Sequence, residues 1–388
     1  MSPNLLDKLR SIGAEQPGSS PAPSANTDAS EGDFHYVREC FPLSCFCDRR
    51  FATTENLSAI FGQAFPSRLK EEDFLFLDTE TTGLSGGVGT VAFQVGLGYF
   101  ENGGFVVEQF LMRDYHEEPA MLKEISRRFA RFPIIITFNG KTFDIPLLKS
   151  RMLMNRLHSA CIPELHGDML FPARRIWKLR LGSCKLSRLE EALLDIIRED
   201  DLPGALVPQT YFQYLKDRNF FPIHAILRHN QQDIVSLAQL FFFLCLQYAK
   251  PESISHEEDL LSMARAHQRM GHAAQAVKCY RLSVRGNSTR PYALQALAVH
   301  EKRQNHTDNA IRLYTSMAKR GDDPVLAYEA LAKLSEHKKN DVQQALHYTR
   351  QALLFLAEPS LSQNEAVQSR QSALQYRYAR LLRKQASK

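Results

Sequence analysis

Four acidic residues and one histidine stand in three short segments whose spacing can do chemistry. The first is Phe74-Leu-Phe-Leu-Asp78-Thr-Glu80-Thr-Thr-Gly83, an apolar run that ends in two carboxylates one residue apart. Side chains alternate between the faces of a strand, so a strand here projects Asp78 and Glu80 from the same face. Neighbouring anions repel and need a cation, and carboxylate oxygens are hard ligands suited to Mg²⁺ or Mn²⁺. A strand end whose acids only cap the next turn looks the same, so this pair alone does not decide. The second segment is Phe132-Pro-Ile-Ile-Ile-Thr-Phe138-Asn139-Gly-Lys-Thr-Phe143-Asp144. It reads as a buried strand broken by Asn139-Gly140, with Asp144 where a helix begins. The third is Leu227-Arg-His229-Asn230-Gln-Gln-Asp233-Ile-Val-Ser-Leu237, of helical periodicity. Residues four apart share a helix face, so His229 and Asp233 point the same way.

In that order, the three segments resemble the Exo I, Exo II and Exo III motifs of DnaQ-like (DEDD) 3′-to-5′ exonucleases. A closer resemblance is to the YprB-type ribonuclease H-like branch. It rests on Tyr36-Val-Arg-Glu39 with Pro42-Leu43, on Thr81-Thr-Gly-Leu-Ser-Gly-Gly-Val-Gly-Thr90, on Asn139-Gly-Lys-Thr-Phe-Asp-Ile-Pro-Leu-Leu148, and on His229-Asn-x-x-Asp233, and it spans residues 35 to 246. It implies an α/β RNase H-like catalytic domain in which Asp78, Glu80, Asp144 and Asp233 converge on two divalent ions, Mg²⁺ or Mn²⁺. Such a pair supports phosphodiester hydrolysis. The resemblance adds the polarity, release of nucleoside monophosphates from a DNA or RNA 3′ end. His229 is the candidate general base, because imidazole titrates near neutrality. It stands four residues before the last aspartate, the spacing of the tyrosine in the DEDDy branch, whereas the DEDDh histidine lies five before. Orienting the water is therefore open to His229 or Asn230. That departure also leaves open a protein that keeps the fold and binds or scaffolds nucleic acid without turnover.

Substrate contacts are expected from Thr81, Asn139, Phe143 and Asn230 beside these motifs, and from a basic stretch. Arg174, Arg175, Lys178, Arg180, Lys185 and Arg188 fall within fifteen positions that hold no acid and include Trp177, the only tryptophan. Lysine and arginine hold phosphates and aromatic faces stack bases. The other reading is a solvated helix face with Trp177 turned into the core.

The elements that position these residues follow from the periodicity. Strands over Val91 to Phe100 and Phe105 to Met112 flank Asn102-Gly103-Gly104, a hairpin signal, and make an antiparallel meander with the first strand. Glycine-rich Ser85 to Gly89 reads as a turn that lets backbone pass close to the site. A helix over Glu118 to Arg131, a strand over Ile134 to Phe138 and a helix over Asp144 to Leu157 alternate in the βαβ manner. Leu165 to Asp168 reads as a short strand ending in a hydrogen-bonding acid. A turn at Asp200 to Gly204, a helix over Tyr211 to Asp217 and a long helix from Pro222 to near Tyr248 complete the domain.

At 388 residues, with 44% hydrophobic and 23% charged side chains, the chain has the composition of a globular protein of more than one domain. Residues 1–33, rich in Gly, Ser, Pro and Ala, read as a disordered tether. Residues 34–250 form the exonuclease-like domain and 251–388 an all-α, TPR-like repeat domain. In the repeats, Ala264, Gly271, Ala276 and Tyr280 recur 34 residues later as Ala298, Asn305, Ala310 and Tyr314. A looser third copy has Ala332 in register and Ala345 one residue late, and a last amphipathic helix is expected over Ala373 to Lys384. The repeats carry a net charge of +8 against −3 for residues 1–250. That surplus suits nucleic acid or an acidic partner, and repeats of this kind present grooves to proteins. The longest apolar run, Leu240 to Leu246, is too short to span a bilayer, and the start lacks the pattern of a signal peptide. Seven unpaired-looking cysteines argue for reduced thiols, so a cytoplasmic location without membrane contact is expected.

Overall fold

A computed structural model describes residues 33–83, 89–199, 201–357 and 365–386. The expected tether, apart from Asp33, and most of the turn at Ser85 to Gly89 lie outside the described residues. The chain divides into two compact units, Met1–Lys250 and Pro251–Lys388.

The first unit is a six-stranded mixed sheet with flanking helices. Its strands are β1 (His35–Pro42), β2 (Phe74–Thr81), β3 (Ala92–Glu101), β4 (Gly104–Leu111), β5 (Ile134–Thr137) and β6 (Leu165–Asp168), in spatial order β1-β4-β3-β2-β5-β6. β1, β4, β3 and β2 pair antiparallel in turn; β5 and β6 extend the sheet parallel to β2. The helices are α1 (Thr54–Phe61), α2 (Glu118–Phe129), α3 (Asp144–Met154), α4 (Leu170–Leu181), α5 (Leu186–Leu189), α6 (Val207–Asp217) and α7 (Ile223–Ala249). The meander and the βαβ alternation are as the periodicity predicts. Edge strand β1 is the addition: its mixed pattern shows no two-fold alternation, and it is the pairing of His35 through Pro42 with β4 that makes it a strand.

Central strand β2 is apolar on both faces because both faces are covered, which is why it reads as a continuous run. Leu75 and Leu77 join a core with Met121, Leu122, Ile125, Leu148 and Tyr211. Phe74 and Phe76 turn to the other face and meet Phe241 of α7, at ring-centroid distances of 5.1 and 5.6 Å. Burying each such side chain contributes about 1.5–3 kcal/mol. Glycines at 96 and 98 on β3 let α7 lie close, since a Cβ would come within 2.2 Å of Asn230 Oδ1 at position 96 and 2.4 Å of Ile234 Cγ2 at position 98. Helix α7 is long and apolar enough to cross a membrane, but its apolar residues from Ile234 to Leu246 are buried in this protein core.

The second unit is helical throughout its described residues, apart from turns: α8 (Glu257–Arg269), α9 (Ala273–Ser283), α10 (Arg290–Arg303), α11 (Thr307–Arg320), α12 (Pro324–His337), α13 (Val342–Leu356) and α14 (Glu365–Ala386). The recurring small residues Ala264, Ala298 and Ala332, and Ala276, Ala310 and Ala345, are all buried. The turn inside each helix pair carries a left-handed residue at the same place, Gly271, Asn305 and Asn340. The third copy runs one residue late there too, as it does at Ala345. Helix α14 begins earlier than Ala373, and fully buried Glu336 of α12 holds it through Arg377 and Arg380.

Candidate active site

The parity of β2 builds the site. Phe74 and Phe76 face α7, so Asp78 and Glu80, the next residues of that parity, face the N-terminal half of the same helix. There Asn230 donates from Nδ2 to Asp78 Oδ2 at 2.9 Å, and His229 Nε2 lies 3.9 Å from Glu80 Oε1 and 3.7 Å from Asp233 Oδ2. Asp144, the first residue of α3, reaches the end of β2 from the other side and accepts a hydrogen bond from the Thr79 hydroxyl. The loop that delivers it is pinned by Asp168. Its Oδ1 accepts from the backbone N–H of Asn139 at 2.7 Å and Leu170 at 3.0 Å, and its Oδ2 from that of Lys141 at 3.0 Å. Asp168 is thus the structural acid expected.

The charges confirm the convergence. Burial pushes the Asp78 carboxyl well above the usual range, and the charges of Asp233, Glu80 and Asp144 push it further, against the Asn230 hydrogen bond. Glu80 is raised in the same way, by burial and then by Asp233, Asp144 and Asp201. Asp144 is raised to about 6, chiefly by burial, with the Thr79 bond opposing. Asp233 is raised by burial while Arg198 and His229 pull it down. Four carboxylates whose ionisation is disfavoured by burial, and for Asp78 and Glu80 also by their acidic neighbours, form a site suited to a cation. Ligand atoms of Glu80, His229 and Asp233 also lie within 4.8 Å of one another. A hard oxygen set with one imidazole fits Mg²⁺ or Mn²⁺.

Three residues escaped the sequence reading. The short helix α5 runs into a π-helical turn, Glu190–Leu194, a feature that recurs at functional sites. From it, fully buried Glu190 binds the Arg198 guanidinium at 2.6 and 2.7 Å. Arg198 also reaches Asp201 Oδ2 at 3.0 Å and Oδ1 of Asp233. Asp201 in turn accepts from His229 Nδ1 at 2.8 Å. Its carboxyl is held below its usual range, the burial that would raise it being outweighed by its bonds to His229 and Arg198. The turn residues Asp200-Asp-Leu-Pro-Gly204 marked the loop but carried no sign of its partner thirty residues on.

A cleft of about 800 Å³ opens beside Asp78 and Asp233, lined by Asn139, Arg174, Lys178 and Lys185 among others. Arg174, Arg175, Lys178 and Arg180 of the basic stretch lie on α4, Lys185 precedes α5 and Arg188 lies on it; of these, Arg174, Lys178 and Lys185 line the cleft. Phe143 is half-exposed at the start of α3, where a base can reach its ring. Thr81 ends β2, and its hydroxyl bonds the Gly83 carbonyl at 2.9 Å.

Three expected substrate contacts are corrected. Trp177 is wholly buried and stacks toward Phe243, so no base reaches it. Arg175 donates to the Ile60 carbonyl at 3.1 Å and anchors α1 instead of a phosphate. Asn230 is also fully buried. Its Oδ1 accepts from Gln109 Nε2 at 3.1 Å, which leaves its Nδ2 to orient Asp78, not to touch substrate or position water.

Among known proteins, the RNase_H_2 family of the RNase_H superfamily matches residues 75–245. The uncharacterized protein YprB of Bacillus subtilis (strain 168) is 32% identical over 324 residues, covering 82% of this chain and 76% of that protein. Among solved structures, the family B DNA polymerase from the hyperthermophilic archaeon Pyrobaculum calidifontis aligns with a TM-score of 0.37 and 14% identity over 54% of this chain, which spans 30% of the polymerase.

Proposed function

Because the chain belongs to the YprB family, with an RNase_H-superfamily domain, we propose that it is a metal-dependent 3′-to-5′ exonuclease of the DEDD type acting on DNA or RNA. The observation that carries this reading is the gathering of four carboxylates, Asp78, Glu80, Asp144 and Asp233, beside a cleft with three cations: burial raises the proton affinity of all four, and the charges of the others raise that of Asp78 and Glu80 further. Two divalent ions, held by these four residues, would supply the charge stabilisation that phosphodiester hydrolysis needs.

The chain's own residues do the rest. Arg174, Lys178 and Lys185 hold backbone phosphates of the incoming strand along the cleft. Phe143 offers its exposed ring to a base and Asn139 a side-chain amide at the cleft wall. His229 takes the proton of the attacking water at Nε2, the nitrogen that faces Glu80 and Asp233. Asn230 keeps Asp78 in its rotamer through the bond to Oδ2. The second unit acts as a TPR-like module that recruits a protein partner or substrate, as its buried small-residue repeat suits.

One observation favours a second reading, a nucleic-acid binder without turnover: Arg198 already neutralises one oxygen of Asp233. Product analysis separates the two. Incubation of single-stranded DNA or RNA with Mn²⁺ should yield nucleoside monophosphates that vanish with EDTA or with Asp78→Asn. Bound but intact strands under every metal condition would support the binder.

A further inference from the structure

We infer that Asp201 is a positioning residue that fixes the tautomer of His229, and that Arg198, gripped by Glu190 and also bonded to Asp233, holds Asp201 in place. The inference rests on the exonuclease reading only for its kinetic consequence.

His229 Nδ1 lies 2.8 and 3.0 Å from the two oxygens of Asp201. An ionised carboxylate only accepts hydrogen bonds, so Nδ1 carries the proton and Nε2 keeps its lone pair. That lone pair is directed at the space between Glu80 Oε1 and Asp233 Oδ2. With the other tautomer, Nε2 would present a proton to the same space and could neither accept one nor bind a cation. The ring is only 13% exposed, so water cannot readily replace Asp201 in this role.

Asp201 is itself held. Arg198 Nη1 donates to its Oδ2 at 3.0 Å, and the same guanidinium is clamped by both oxygens of Glu190, which is fully buried on the π-helical turn. A guanidinium gripped along its Nε–Nη2 edge presents its remaining N–H groups in a fixed plane. Arg198 Nη1 also comes within 3.3 Å of His229 Nδ1. Both are donors when Asp201 is ionised, so Arg198 does not bond the ring, and the carboxylate between them satisfies both. This explains why an acid, and not an amide, stands at position 201. An asparagine there would give its oxygen to Arg198 and turn its NH₂ on Nδ1, which would move the ring proton to Nε2.

The test reads the tautomer directly. Full-length protein carrying ¹⁵N-histidine is studied without metal at about pH 9, above the imidazole range. Long-range ¹⁵N–¹H correlation spectra are compared for wild type, Asp201→Asn and Asp201→Glu, with His229→Gln assigning the resonance. Wild type should show a protonated Nδ1 and a bare Nε2. Asp201→Asn should invert the pattern, and Asp201→Glu should restore the wild-type pattern in whole or in part. In hydrolysis assays, Asp201→Asn should lower kcat by about 100-fold or more, within the range for proton transfer, with KM little changed and partial recovery in Asp201→Glu. The same tautomer in wild type and Asp201→Asn would overturn the inference, even if kcat fell, because the loss would then be structural. Absence of hydrolysis by wild type would count against the exonuclease reading, while the spectra would still decide the role of Asp201.

Discussion

Asp78 is oriented with the help of a glycine directly opposite it on the next strand, Gly96 of β3. Asn230 reaches Asp78 only because position 96 has no Cβ, which would fall 2.2 Å from Asn230 Oδ1. Gly96→Ala should therefore leave the fold largely intact but displace Asn230, and lower hydrolysis by at least tenfold, since small misplacements at a reacting centre are costly. Wild-type rates in Gly96→Ala would contradict that coupling. Asp144 gives a pH prediction. Its folded value of about 6 lies above its ordinary 3.8, so between those values the folded protein keeps a proton that the unfolded chain releases. Its contribution to stability is then full below about pH 4 and declines as pH rises through about 6. In EDTA, the melting temperature of Asp144→Asn minus that of wild type should rise between about pH 4.5 and about pH 7. A flat or falling difference would show that Asp144 is not held above its ordinary value. At this scale the residues the structure brings together, the four acids and His229, could be picked out from the sequence because their types and spacing stand out. The sequence misassigned Trp177, Arg175 and Asn230, because which way a side chain turns from a helix depends on neighbours such as Phe243, Ile60 and Gln109.

The elements divide into those announced by periodicity and those made by pairing. β2 and α7 could be read because one is a continuous apolar run and the other a long helical one. β1 could not, since its partner β4 lies some seventy residues away. The π-helical turn at Glu190–Leu194 was equally hidden, because Glu190-Glu-Ala-Leu-Leu194 has ordinary helical composition. It carries one largely buried ion pair, Glu190 with Arg198, whose arginine is 12% exposed. Breaking such a pair by removing one charge costs about 3–5 kcal/mol. Glu190→Gln should lose that much in urea unfolding, and a loss below about 1 kcal/mol would mean the turn is held by other contacts. The buried alanines of the second unit were visible for a different reason: a repeat announces itself by self-similarity, and the positive-φ turns at Gly271 and Asn305 keep the same period, with Asn340 one residue late.

For the whole molecule, an α/β unit with an acidic site is joined in one chain to a helical unit that carries the basic surplus. The domain type was legible because three motifs in fixed order constrain a topology far more than any one does. What the helical unit binds is not written in net charge, which specifies neither groove nor partner. The most direct measurement is hydrolysis of single-stranded DNA and RNA labelled at the 3′ or the 5′ end, with Mn²⁺, Mg²⁺ or EDTA, by wild type, Asp78→Asn and Asp233→Asn. The expected result is metal-dependent loss of the 3′ label before the 5′ label, abolished by EDTA and by either substitution. Retention of both labels on every substrate, or hydrolysis that survives both substitutions, would contradict the account.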